Sequence, residues 1–301
     1  MSPPLEIALL LWLVHALIRV RKDKRYVNLL IVYFLAFGGA VVVGKALDLS
    51  SALTPKYDLY LYAVDRALGF SLSFQLGRIF GPHTVFFRPL ACFYDTMFLA
   101  MLLVYELHLV RNGQPRRVAA ALILNLCGGF LMYFLLPACG PAYAFPALFP
   151  RYLPSWDGVH LLSFAARPNA IPSVHTSTAL LLLWFCGQRR YAYPLAALNL
   201  VGTLLATLAS GEHYLIDLVV AVPFAAAVYE ASGDEWKKAA TWLAATGAWM
   251  AALRWGSPWV TASPVLLGIA CLLTVSIPWL PSLRAPRSPS QPAGPVLAQR
   301  V

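Results

Sequence analysis

Two short stretches of the chain carry residue types that can do chemistry. They are Pro172-Ser173-Val174-His175 and His213-Tyr214-Leu215-Ile216-Asp217. Each sets a histidine beside small hydroxyl or glycine residues, just ahead of a long apolar run. Ionisable side chains inside apolar segments are costly, and there they mark functional sites by default. His213 and Asp217 are four residues apart, so a helix through both puts them on one face. A carboxylate in that position holds one imidazole nitrogen and leaves the other free as nucleophile or base. His175, at the top of a different predicted helix, is free to do the opposite proton job. A metal held by His175, His213 and Asp217 lacks a clear fourth ligand and is the weaker reading. The five cysteines, Cys92, Cys127, Cys139, Cys186 and Cys271, show no metal-type spacing. A bridge between Cys92 and Cys139 has nothing in the pattern to support it.

The two motifs resemble the signature motifs of the type 2 phosphatidic acid phosphatase superfamily. The His-Tyr-x-Ile-Asp form is closer to its phosphotransferase branch, the inositol phosphorylceramide synthases and sphingomyelin synthases. The resemblance spans roughly residues 26 to 230. It implies a nucleophilic His213, an orienting Asp217, an acid in His175, a phosphohistidine intermediate, no metal and no cofactor. Phosphoryl transfer needs an in-line nucleophile, positive charge on the equatorial oxygens and a proton for the leaving oxygen. Ser173 and the free N–H groups at the start of the helix behind it offer anion contacts, aided by the helix dipole.

The chain departs from the family pattern in two places. The first motif, a lysine seven residues before Arg-Pro, is not clean. Arg88-Pro89 and Arg167-Pro168 are both present, but Gly81 and His160 stand where the lysine belongs. The arginine usual six positions before the second histidine is replaced by Thr207. The phosphotransferase branch often lacks the first motif, so its absence favours that branch. Cationic help for a phosphate then falls first to Arg167, eight residues before His175, and after it to Arg151 and Arg88. Gly140-Pro141-Ala142-Tyr143 resembles a Pro-rich element beside the site in the inositol phosphorylceramide synthases, with an ordinary turn as the equal alternative. That makes Gly140, Pro141 and Tyr143 candidates for substrate contact. Tyr94 and Asp95 stand near the outer end of a predicted span, where they can meet a lipid headgroup. Asp95 can equally pair with Arg88.

Composition defines the class. Of 301 residues, 59% are hydrophobic and 12% charged, and the mean hydropathy is +0.66. A soluble domain carries about 25% charged residues. The expectation is an all-α, polytopic membrane bundle of about nine transmembrane helices, with a six-helix lipid-phosphatase-like core. The net charge of +10 comes from short basic clusters between apolar runs, without a basic stripe and interleaved aromatics. Nucleic acid is therefore excluded as a partner, and a membrane lipid is the expected substrate.

A first span over residues 5–20 has no basic residue before it and ends in Arg21-Lys22-Asp23-Lys24-Arg25, unlike a secretory signal. Further spans are expected at 26–47, 85–110, 118–136, 172–187, 191–208, 212–228, 239–253 and 260–279. Between Leu49 and Pro82 lie one or two interfacial helices, with Asp58, Asp65 and Arg66 most simply solvating their polar face. Pro137–Pro168 is long enough to be functional. Trp156, Trp255 and Trp259 suit a membrane interface. The chain divides into an N-terminal helix with its basic loop (1–25), the catalytic core (26–230), two added helices (231–282) and a disordered tail (283–301).

If every span crosses, Arg21–Arg25, Arg111–Arg117, Arg189–Arg190, Lys237–Lys238 and Arg284–Arg287 fall on one side, which is the cytoplasm. His175, His213 and the Pro137–Pro168 loop then share the other side. The expected location is a bacterial-type plasma membrane, with the site extracytoplasmic and the C-terminus cytoplasmic. The expected function is inositol-phosphotransferase-like transfer of a phosphoryl headgroup to a hydroxyl acceptor. A plain lipid or polyprenyl phosphate phosphatase is the alternative. A transporter relaying through Asp48, Glu106, His108 and Asp217 is the rival from another class.

Overall fold

The computed structural model describes residues 3–279 except 52–54, 112, 156–157 and 188–190. Arg189, Arg190, Trp156 and the tail lie outside the described residues. The described elements are helical. In chain order they are α1 (Pro3–Val20), α2 (Arg25–Ser50), α3 (Asp58–Ala67), α4 (Leu72–Phe80), α5 (Phe87–Asp95), α6 (Met97–Val110), α7 (Pro115–Leu135), α8 (Pro141–Ala144), α9 (Val174–Cys186), α10 (Ala192–Ala209), α11 (Leu215–Ala231), α12 (Trp236–Trp255), α13 (Ser257–Ala262) and α14 (Pro264–Ser276). A 3₁₀ turn, Ile277–Trp279, closes the described chain.

The bundle is built around α11. Every residue from Ile216 to Val228 is buried. A helix apolar on all sides belongs in a core. Its alanines keep the surface small, which lets neighbours approach closely. Helices α3, α7, α9, α12 and α14 pack against it. The approach of α7 to the start of α9 depends on Gly129, because a Cβ there would stand 2.3 Å from Val174 Cγ2. On the outside, large apolar side chains such as Leu10, Leu11, Val42, Leu131, Leu195, Leu266 and Leu272 are exposed, as lipid-facing positions must be. Trp255 and Trp259 are exposed as well, at the end of α12 and in α13.

Among the described residues two helices, α7 and α10, are long and apolar enough to cross a membrane, and α5 with α6 makes a third if that bent pair is one span. The expected continuous span over 85–110 is broken, with a 46° bend between α5 and α6. Thr96 sits at the break and donates its hydroxyl to the Cys92 carbonyl at 2.6 Å, the back-bonding that bends helices. The two helices that follow the motifs are shorter, α9 with 13 residues and α11 with 17. Pro172 and the N-cap Ser173 start α9, and Gly187, with φ +56°, ends it.

The interfacial segment forms two helices, α3 and α4, that do not lie with their acids in water. Asp58 and Asp65 are 0% and 2% exposed. The Pro137–Pro168 stretch folds over them. Tyr62 donates its hydroxyl to the Pro154 carbonyl, Arg78 donates to the carbonyls of Pro150 and Arg151, and Lys56 pairs with Leu162 in an isolated antiparallel bridge. In the same way α6 is stapled to the N-terminal helices. Glu106 accepts from Trp12 and Tyr26 and contacts His15 at 3.0 Å.

Candidate active site

Both motifs meet at the N-terminal ends of α9 and α11. His213 does not share a helix face with Asp217 as the spacing predicts, because α11 starts at Leu215, after it. Instead Asp217 is the third residue of α11, and its Oδ2 accepts the Tyr214 N–H at 2.8 Å. That capping contact turns the chain back, so His213 Nδ1 comes to 3.4 Å from the same Oδ2. The pair is 2% and 0% exposed. At 3.4 Å the contact is looser than a formed hydrogen bond, and Asp217 Oδ1 also has no hydrogen-bond partner. On the other side of the ring, His213 Nε2 lies 3.3 Å from Ser173 Oγ. Ser173 is the N-cap of α9, and its Oγ also accepts the Thr176 N–H at 3.3 Å. The Ser173 N–H donates to the Asp217 carbonyl at 3.3 Å, tying the two motif backbones together.

His175 is the second residue of α9, two residues after the Ser173 whose Oγ lies 3.3 Å from His213 Nε2. Its ring is stacked on Tyr94, with centroids 3.7 Å apart and planes 24° apart. The Tyr94 hydroxyl donates to the Glu212 carboxylate in a short hydrogen bond. Tyr94 therefore touches His175 of the first motif and the residue just before the second. Asp95, beside it in the chain, is exposed.

The Gly140 turn lies against the second motif. Gly140 has φ +96°, and a Cβ on it would stand 2.3 Å from the Glu212 carbonyl oxygen. Only glycine satisfies both demands. Ala142 N–H donates to the Gly211 carbonyl at 2.9 Å, and Pro141 is buried while Tyr143 is 47% exposed.

The three arginines are not gathered at the imidazoles. Arg167 makes a two-pronged pair with Asp48, at 2.5 and 2.9 Å. Arg151 is exposed, as is Arg88 on α5. Among the described residues, no group of three or more His, Cys, Asp or Glu side chains is placed to hold a metal ion. Among the described residues no disulfide joins the cysteines.

Sequence reasoning missed two residues. Asp65 accepts the Leu215 N–H at 2.8 Å and the Ile216 N–H at 3.2 Å. Asp58 accepts the Gly140 N–H at 2.9 Å, the Cys139 N–H at 3.2 Å and the Tyr214 hydroxyl at 3.0 Å. Burial pushes the Asp58 carboxyl up to about 7 and the Asp65 carboxyl up to about 8, although the N–H donors pull both the other way. Their seven-residue separation, which puts both on one helix face, was the available clue. Ser73 completes the set by donating its hydroxyl to the His213 carbonyl at 2.7 Å.

The sequence profile of the PAP2 superfamily matches residues 59–231 of the chain. No curated protein and no solved structure matches it.

Proposed function

We propose, from the premise that this chain belongs to the PAP2 superfamily, that it is a membrane lipid phosphotransferase or phosphatase working through His213. Membership in that superfamily suggests lipid phosphatase or phosphotransferase activity, and the apolar helices fit an integral membrane protein. The observation that carries the reading is the placing of His213 between Asp217 Oδ2 at 3.4 Å and Ser173 Oγ at 3.3 Å. Asp217 holds the proton on Nδ1 and leaves the Nε2 lone pair for attack.

In the first half-reaction, Nε2 attacks phosphorus and a phosphohistidine forms as the bond to the lipid oxygen breaks. His175 gives its proton to that oxygen. In the second, His175 takes the proton of an acceptor hydroxyl, whose oxygen attacks phosphorus and frees Nε2. The acceptor is water in a phosphatase and a polyol or lipid alcohol in a transferase. The reading leans to inositol-phosphotransferase-like transfer, because the Tyr-x-Ile-Asp form and the absent first motif favour that branch. A plain lipid or polyprenyl phosphate phosphatase is the second reading.

Arg167 is committed to Asp48, so anion stabilisation falls to the N-terminal end and dipole of α9, to Ser173 and to His175. The transporter reading loses support because each relay candidate has its own local partner. Asp48 holds Arg167, Glu106 holds α1 and α2, His108 contacts the Phe185 carbonyl at 2.9 Å, and Asp217 faces His213.

The test is phosphate release and headgroup exchange by the purified protein in lipid micelles, with and without inositol and EDTA. Turnover insensitive to EDTA and absent from His213→Ala is the expected result. Activity that EDTA removes and zinc or magnesium restores rejects the reading.

A further inference from the structure

We propose that Asp58 and Asp65 are positioning residues, through which α3 clamps the turn Gly211–Ile216 and sets where the His213 imidazole stands. The inference rests on His213 being the reacting residue. It begins with the orphan donors at the start of α11. The first N–H groups of a helix need acceptors, and a short polar side chain at the N-cap usually supplies one. Here the N-cap is Tyr214, whose phenol hydroxyl points to Asp58 instead. Asp217 takes the Tyr214 N–H, and the next two, of Leu215 and Ile216, go to Asp65. The cap therefore comes from another helix, 150 residues away in sequence.

Asp58 extends the clamp to the far side of the turn. It gathers the Cys139 and Gly140 N–H groups and the Tyr214 hydroxyl on one buried carboxylate. Gly140 in turn lies against the Glu212 carbonyl. Ser73 of α4 holds the His213 carbonyl itself. Segment 58–73 thus supplies three side chains that fix the backbone at His213, Leu215 and Ile216 and the side chain of Tyr214. What the three hold is the His213 carbonyl, the Tyr214 hydroxyl and the Leu215 and Ile216 N–H groups. They act on the ring through the backbone that carries it, and Asp65 is the member whose loss frees two N–H groups at once.

A displacement of about 1 Å at a reacting group can cost about 10²-fold in rate. Asp65→Ala is therefore expected to lower kcat for a short-chain lipid phosphate by about 10²-fold, with KM unchanged, because Asp65 holds the backbone N–H groups of Leu215 and Ile216. Asp65→Asn keeps one carbonyl acceptor and should recover most of that loss. The independent readout is carbethoxylation of His213 by diethyl pyrocarbonate, followed on its peptide by mass spectrometry. His213 is 2% exposed, so its labelling in the wild type is slow, and freeing the start of α11 should speed it in Asp65→Ala. Should Asp65→Ala fail to purify, Ser73→Ala, which frees the His213 carbonyl, carries the same two measurements. Wild-type kcat and wild-type labelling in these alanine variants overturn the proposal, as does a loss confined to KM. If His213→Ala turns over lipid, the catalytic reading fails instead, and the labelling rate of Asp65→Ala still decides the clamp.

Discussion

Tyr94 lies face to face with His175, ring centroids 3.7 Å apart, while its hydroxyl donates to Glu212, the residue before His213. One side chain from the bent α5–α6 pair therefore links the first motif to the residue that precedes the second. An aromatic stack contributes about 0.5–1.5 kcal/mol beyond area burial, a factor of about two to ten. Tyr94→Phe should keep the stack and stay within about threefold of wild-type kcat, while Tyr94→Leu should lose about tenfold. Steady-state turnover on one lipid phosphate checks the order, and equal losses in the two variants would remove the stacking argument.

The two histidines are separable by leaving group. A diacylglycerol alkoxide needs a proton to depart, whereas a nitrophenolate hardly does. His175→Ala should lose about 10²–10⁴-fold on a natural lipid phosphate and much less on a nitrophenyl phosphate ester, in single-turnover measurements of the first half-reaction. His213→Ala should be inactive on both. Equal losses for His175→Ala on both substrates would make it a phosphate-binding residue rather than an acid.

The buried acids of α3 make stability depend on pH. Their folded-state values, about 7 for Asp58 and about 8 for Asp65, lie above the ordinary 3.8, chiefly because burial disfavours the charged form. A raised carboxyl holds its proton more tightly when folded, so its contribution is full below the unfolded value. It is lost as pH rises to the folded value. The thermal midpoint of the wild type in detergent should therefore fall between pH 5 and pH 9. Asp58→Asn/Asp65→Asn should fall less over the same window, since it has lost both titrations. Parallel curves for the two proteins would contradict these assignments.

Topology gives a prediction that no activity assay enters. A cysteine placed at Tyr152, in the exposed part of the Pro137–Pro168 loop, should label with impermeant maleimide in intact cells. One placed at Arg116 should label only after permeabilisation. The reverse pattern would put the candidate site on the cytoplasmic face.

The legible parts of this chain were those in which short-range chemistry and position coincide. Pro172-Ser173 marks the start of α9 because the N-cap is encoded within the helix it caps. The helical class followed from composition. The partnership of His213 with Asp217 was legible from their spacing, although the helix starts after His213 and the contact arises from a cap. Asp65 was not legible, because its partners are backbone N–H groups at Leu215 and Ile216, and backbone donors leave no trace in residue types. Arg167 was legible as a cation, but its partner, Asp48, lies 119 residues away in sequence. The bend at Thr96 was not legible because Asp95 and Thr96 make only a brief polar break, and Thr96 turns its hydroxyl back on the Cys92 carbonyl.

The central claim is that phosphorus passes through His213. The most direct measurement mixes the purified protein with a short-chain ³²P-labelled phosphatidic acid, quenches in alkali within one turnover, and maps the label by mass spectrometry. The account predicts an alkali-stable, acid-labile phosphoryl group on the peptide carrying His213, absent from His213→Ala and accumulating in His175→Ala when a nitrophenyl phosphate ester is the donor. An active protein that carries no such label, or carries it on another residue, would contradict it.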